Sequence, residues 1–128
     1  VVNDGSGLDP GNLVTCRFMT GLLEDTEHGP DLLEALPVAG QSGTLRERLV
    51  GTAAEGRMRA KTGSLRDVVS LVGVVKTLSG RTLAFAVVTN AEGSGAQVKA
   101  LHDRVVLDLV PYPDGPPLEL LGPLPVES

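Results

Sequence analysis

An α+β fold, with helices packed on the faces of an antiparallel sheet, is what the order of elements in this chain predicts. Three strand candidates, at 57–62, 68–77 and 82–90, are separated only by short turns. The second and third carry nearly unbroken apolar runs, and segments with helical periodicity stand before and after them. This β-β-β-α order fits part of a layered sheet.

The elements follow in sequence. Asn3-Asp4-Gly5-Ser6-Gly7 and Asp9-Pro10-Gly11-Asn12 are turn clusters, so residues 3–12 form a compact loop in which Asp4 and Asp9 cap backbone. Leu13, Val14, Cys16, Phe18, Met19, Leu22 and Leu23 recur near helical spacing, predicting a helix over about 15–25 with Thr15 as N-cap. Glu27-His28-Gly29-Pro30 breaks it. Asp31 caps a short apolar stretch at 32–36, which Pro37 stops. Residues 44–50 read as a brief helix, with Thr44 capping and Glu47 at capping-box spacing.

In the sheet, Leu71, Val72, Val74 and Val75 form one apolar run and Leu83-Ala84-Phe85-Ala86-Val87-Val88 the other. Strands of this kind are covered on both faces. The Ser79-Gly80 turn joins them as a hairpin. Ala96, Val98, Leu101, Val105, Val106, Leu109 and Val110 mark an amphipathic helix that Pro111 ends. The sequence thus divides into a folded part, 1–110, and a Pro-rich tail, 111–128, expected to be an extended wrap or disordered.

Composition narrows the function. At 128 residues and 41% apolar content the chain is one domain or part of a larger one, with an aliphatic core, since Phe18, Phe85 and Tyr112 are its only aromatics. A net charge of −5 and scarce aromatics argue against nucleic acid as partner. No apolar run approaches the roughly 20 residues that span a bilayer. With neither an initiator Met nor a signal segment, the chain reads as a processed product or a piece of a larger protein. Cys16 is alone and is expected to be a buried structural thiol; no metal or cofactor is implied.

The chemistry concentrates in Lys61-Thr62-Gly63, set in Arg59-Ala60-Lys61-Thr62-Gly63-Ser64-Leu65. A sheet edge carrying a cation, a hydroxyl and a bare Cα suits an extended peptide that ends in a carboxylate. The peptide adds by main-chain hydrogen bonds, Gly63 lets its backbone approach, and Lys61 and Thr62 meet the carboxylate. The Ser64 N–H can serve as half of an oxyanion hole, a donor typically worth about 3–4 kcal/mol of barrier. A nucleophile is not evident, because neither Ser-x-x-Lys nor Ser-x-Asn occurs in the chain. His28, in a Gly-Pro loop, and His102, on the polar face of the last helix, are expected to be solvated. The same holds for Arg46, Glu47 and Arg48, and for Asp103 and Arg104.

Taken in order, Asp4-Gly5-Ser6-Gly7-Leu8, Asn12, Leu36-Pro37-Val38-Ala39-Gly40, Gly43-Thr44-Leu45, Arg48, Gly51-Thr52, Ala60-Lys61-Thr62-Gly63-Ser64-Leu65, Gly73 and Asn90 stand at familiar spacings. Over roughly residues 2–110 the chain resembles the C-terminal part of a class C penicillin-binding protein, the D-alanyl-D-alanine carboxypeptidase/endopeptidase family. The resemblance implies part of a serine β-lactamase/penicillin-binding-protein-like fold. It also implies acyl transfer through a covalent Ser ester on peptidoglycan stem peptides ending in D-Ala-D-Ala, with β-lactams as inhibitors, in the bacterial cell envelope.

By this resemblance Lys61, Thr62, Gly63 and Ser64 belong to the catalytic centre. Leu65, with Ser64, would touch the bound peptide, and Ser6 and Leu8 would lie beside the pocket for its side chain. Two departures stand out. Where the family continues that loop with Ser-Arg, this chain has Asp9-Pro10, so the Arg that would grip a stem-peptide carboxylate is absent there. The family's first two motifs would lie in an N-terminal segment of the same protein, which becomes a required partner. Two other readings stay open: a fragment of a serine β-lactamase, and a non-catalytic homologue that binds peptidoglycan peptides.

Overall fold

The computed structural model describes residues 1–90 and 95–115. Two helices, α1 (Cys16–Glu24) and α2 (Gly29–Ala35), precede a short 3₁₀ turn, Gly43–Leu45. Strands β1 (Met58–Ser64), β2 (Val68–Lys76) and β3 (Thr82–Asn90) and helix α3 (Gly95–Leu109) follow. The sheet is antiparallel in the order β1-β2-β3. Most of the expected tail, 116–128, lies outside the described residues.

Because alternate side chains leave a strand on opposite faces, the register sorts the residues into two layers. Met58 and Ala60 on β1, Leu71 and Val75 on β2, and Phe85 on β3 share one face with Val106 and Val110. Ala39, Leu45, Leu49 and Ala54 close the end of that core. Val72, Val74 and Ala86 occupy the opposite face and meet Met19 and Leu23 of α1 and Leu33 and Leu36 at α2. The unbroken apolar runs therefore do what they predict: both sides of the sheet are covered. At Gly73 the neighbouring strand leaves no room for a side chain, since a Cβ there would lie 2.6 Å from Ala60 Cα.

Local chemistry explains the boundaries. Thr15 Oγ1 accepts from Phe18 N–H at 3.1 Å and caps α1 as expected. Helix α2 begins earlier than the apolar pattern suggests. Asp25 Oδ1 accepts from the backbone of Glu27 and His28, tightening the turn, and Pro30 then sits in the first helical turn, where its missing N–H costs nothing. The residues that stop α1 also start α2.

The helix expected over 44–50 does not form. Only a 3₁₀ turn appears, and Thr44 lies inside it rather than capping it; Ser42 takes the N-cap position. Leu49 has a positive φ of 62°, which a continuing helix cannot accommodate. Leu45 and Leu49 are buried, so packing overrides the capping signal.

Three side-chain expectations are corrected. Cys16 is exposed: it is the first residue of α1, two turns before the buried Leu23 on the same face. His102 is fully buried and faces the sheet, with its Nε2 2.8 Å from Thr89 Oγ1. Arg48 and Asp103 are not a solvated face. They form an ion pair at 2.6 Å with side chains only 15% and 25% exposed, tying the segment after the 3₁₀ turn to α3. Arg104 instead pairs along the helix with Asp108.

Candidate functional site

Strand β1 forms one margin of the sheet, and hydrogen bonding shows which of its groups face outward. Ala60 N–H donates to Pro37 O at 3.1 Å, and Met58 O accepts from Ala39 N–H at 2.9 Å, both outside the sheet. Arg57 O accepts from Lys76 N–H on the β2 side. The N–H and C=O of one residue in an antiparallel strand point the same way, and successive residues alternate. Thr62 and Ser64 therefore direct their main-chain groups outward, and Lys61 and Gly63 direct theirs at β2.

Residues 37–39 cover only the start of this margin, ending in a bridge between Val38 and Arg59. From Lys61 onward no described residue pairs with it. The Lys61 ammonium reaches this open stretch, where Nζ donates to Thr62 O at 2.7 Å. An ammonium, an exposed Ser64 and two outward amides thus share one unpaired edge. Leu65 follows in the tight turn to β2, closed by its N–H donating to Val68 O at 2.8 Å, and it remains exposed.

The side chains of Lys61 and Gly63 leave on the α1/α2 face, those of Thr62 and Ser64 on the α3 face. Thr62 Oγ1–H donates to Thr44 Oγ1 at 3.3 Å. Gly63 has a structural reason for lacking a side chain: a Cβ there would collide with Ser70 Oγ on the neighbouring strand. Sequence reasoning missed Ser70. The short turn at 65–67 was the available signal, since it sets Ser64 opposite Val69 and hence Gly63 opposite Ser70.

Ser6 and Leu8 lie in an exposed loop held by hydrogen bonds within residues 1–13. Asn12 Oδ1 accepts from Asn3 and Asp4 N–H, Asp4 Oδ1 accepts from Gly7 N–H at 3.2 Å and Asn12 Nδ2 at 2.8 Å, and Asp9 Oδ1 accepts from Gly11 N–H at 2.7 Å. The Ser6 hydroxyl bonds to Asp4, and Asp4 is held below its ordinary pKa chiefly by Ser6 and then Asn12. Asp4 and Asp9 act as backbone caps, as expected. The structure brings Lys61, Thr62, Ser64 and Leu65 together along β1, and no hydrogen bond joins Ser6 or Leu8 to them.

An open cleft of about 450 Å3 lies between the segment holding Thr44, Arg48 and Leu49 and the α3 residues Lys99 and Asp103, adjoining β1 through Thr44. His28 is exposed beside Asp25, and neither histidine is near Lys61 in the hydrogen-bond pattern. Among the described residues no group of three or more His, Cys, Asp or Glu could hold a metal ion.

Comparison with known proteins gives the family. The model of the D-Ala-D-Ala carboxypeptidase 3 (S13) family matches residues 1–108. The chain belongs to that family. It is 42% identical over 120 residues to a D-alanyl-D-alanine carboxypeptidase of Actinomadura sp., a match covering 88% of this chain and 22% of the relative. The carboxypeptidase DacB of Mycolicibacterium smegmatis is 48% identical over 99 residues, covering 70% of this chain and 22% of its own length. Among solved structures, penicillin binding protein 4 from Haemophilus influenzae superposes with a TM-score of 0.78 at 29% identity, over 88% of this chain and 28% of that one. The same H. influenzae protein has been solved in complex with a β-lactam. The chain spans about a fifth of the length of the curated relatives it matches.

Proposed function

We propose that this S13-family chain supplies one wall of the active site of a serine D-Ala-D-Ala carboxypeptidase/endopeptidase of the bacterial cell envelope. The observation that carries the reading is the open stretch of β1, where the Lys61 ammonium and the outward N–H groups of Thr62 and Ser64 share one edge.

A stem peptide lies along that edge as an added strand. Its terminal carboxylate is met by Lys61, as a point charge, and by the Thr62 hydroxyl. As the acyl carbon becomes tetrahedral, negative charge grows on its oxygen, and the Ser64 N–H is one of the two donors that stabilise it. Leu65 packs against the bound peptide; Ser6 and Leu8 flank its side chain. Gly63 keeps the strand pair close at the point of contact.

The attacking Ser, its Lys partner and the Ser-x-Asn element come from a segment outside these 128 residues, since the sequence contains neither Ser-x-x-Lys nor Ser-x-Asn. The resemblance to a β-lactam-binding H. influenzae protein supports β-lactams as covalent inhibitors. A fluorescent penicillin tests the division of labour. A full-length polypeptide carrying this segment, or the segment reassembled with its N-terminal partner, is expected to become labelled, and the isolated chain to stay unlabelled. Labelling of the isolated chain would contradict these roles.

A further inference from the structure

We infer that Thr44 is a positioning residue: it fixes the hydroxyl of Thr62 so that Thr62 presents its proton to the carboxylate of the bound peptide. The inference rests on the active-site reading above and adds a residue to it.

The geometry starts with the segment that carries Thr44. Residues 37–45 brace β1 from outside, through Ala60 N–H to Pro37 O and Ala39 N–H to Met58 O. Internal bonds stiffen the segment: Gly40 N–H to Leu45 O at 2.9 Å, Leu45 N–H to Ser42 O at 3.1 Å, and Val38 N–H to Ser42 Oγ at 2.9 Å. Leu45 is fully buried in the core. Gly43, at φ +52°, turns the chain closely over Pro37. Beyond the turn, Arg48 is latched to α3 by Asp103 at 2.6 Å and by Lys99 O at 3.2 Å. Thr44 is therefore an exposed side chain on a fixed support, with its Oγ1 3.3 Å from Thr62 Oγ1.

A threonine hydroxyl has one proton and two acceptor sites. Without ligand, Thr62 donates to Thr44. When a carboxylate binds, Thr44 donates to Thr62, and Thr62 turns its own proton to the carboxylate. A chain of two hydroxyls ending on an anion polarises cooperatively, and Thr62 loses no acceptor partner in the exchange.

The test uses the full-length polypeptide carrying this segment and the variants Thr44→Val, Thr44→Ser and Thr62→Val, alone and combined. Hydrolysis is measured on an acyl-D-Ala-D-Ala peptide and on the same peptide with its terminal carboxylate amidated. Thr44→Val is expected to lower kcat/KM for the free acid about 3- to 10-fold, the value of one ordinary hydrogen bond. The loss falls mainly on KM, and the ratio of free-acid to amidated turnover falls with it. Thr44→Ser is expected to restore both, and Thr44→Val to add nothing in the Thr62→Val background. A melting temperature within a degree or two of the parent accompanies this, because the side chain is exposed. An unchanged free-acid/amide ratio in Thr44→Val, or an effect that adds fully to Thr62→Val, overturns the inference. An inactive parent that no penicillin acylates instead overturns the active-site reading itself.

Discussion

Lys61 is the residue on which the proposed chemistry leans hardest, and its surroundings predict how its loss should behave. Among the described residues its ammonium hydrogen-bonds Thr62 O alone, so removing it should leave the fold intact. Lys61→Met in the full-length polypeptide is expected to slow acylation by a carboxylate-bearing penicillin roughly 10- to 100-fold, since a hydrogen bond to a charged group is worth about 1.5–3 kcal/mol. Stopped-flow labelling measures this, and an unchanged melting temperature separates it from misfolding.

His102 makes a prediction of a different kind. Its Nδ1 is buried with no hydrogen-bond partner among the described residues, and burial holds its pKa below the ordinary 6.5, with Arg48 pushing the same way and Asp103 opposing. A group whose folded pKa is depressed in this way favours the neutral ring in the fold, so the unfolded chain binds the proton first. Its contribution is full above 6.5 and declines as pH falls below that value. Thermal melting between about pH 7 and 5 should show this decline, and His102→Gln should flatten it. The lowered carboxyls of Asp4 and Asp25, with ordinary values of 3.8, act only in more acid solution. A melting temperature independent of pH in this window, in the parent, would contradict the account.

Among the elements, the β1–β2 pair is the least tolerant of change. A Cβ at Gly73 meets main-chain atoms of Arg59 and Ala60, which cannot step aside without breaking the ladder. Gly73→Ala is therefore expected to cost about 2 kcal/mol or more, measured by chemical denaturation, and to reduce penicillin labelling of the full-length polypeptide in parallel. Gly63→Ala should be milder, because the atom in its way is a serine hydroxyl that can rotate, and Ser70→Ala should relieve it.

These same elements show what the sequence could reveal. Strand β3 begins and ends at the residues its apolar run and turn predict, because a strand covered on both faces must be apolar throughout. The Thr15 cap was equally readable, being a local bond. Residues 44–50 misled, because a capping-box spacing is a local signal and the burial of Leu45 and Leu49 is not. His102 and Arg48 misled for a related reason. A polar residue on a helix reads as solvated unless its partner is known, and Thr89 and Asp103 lie 13 and 55 residues away. At the candidate site, the sequence places Lys61-Thr62-Gly63 at a sheet edge, and these residues lie in β1 at the margin of the sheet. The placement of Ser70 follows from the register that the short turn at 65–67 sets, whereas that of Thr44 depends on a loop path that no residue spacing encodes.

Considered whole, the described residues form a layered sheet with two unfinished borders. The margin of β1 beyond Ala60 and the outer side of β3 have no described strand partner. Phe18 and Leu22 on α1, Leu13 and Val14 before it, and Leu32 on α2 are exposed, Phe18 at 52%. Unpaired edges and apolar surface favour association with another chain. The isolated chain is expected to sediment as species larger than a monomer, and to become monodisperse when its N-terminal segment is supplied. A lone monomer with a sharp cooperative melt would count against this view of the borders.

The central claim is that the open edge of β1 receives the acyl group and its carboxylate, and the most direct measurement is a crystal structure of the penicillin-acylated full-length polypeptide. The acyl oxygen is predicted to sit about 2.7–3.1 Å from the Ser64 amide nitrogen, with the ligand carboxylate against Thr62 Oγ1 and the Lys61 ammonium nearby. An acyl group bound elsewhere, with the edge from Lys61 to Ser64 left empty, would contradict it.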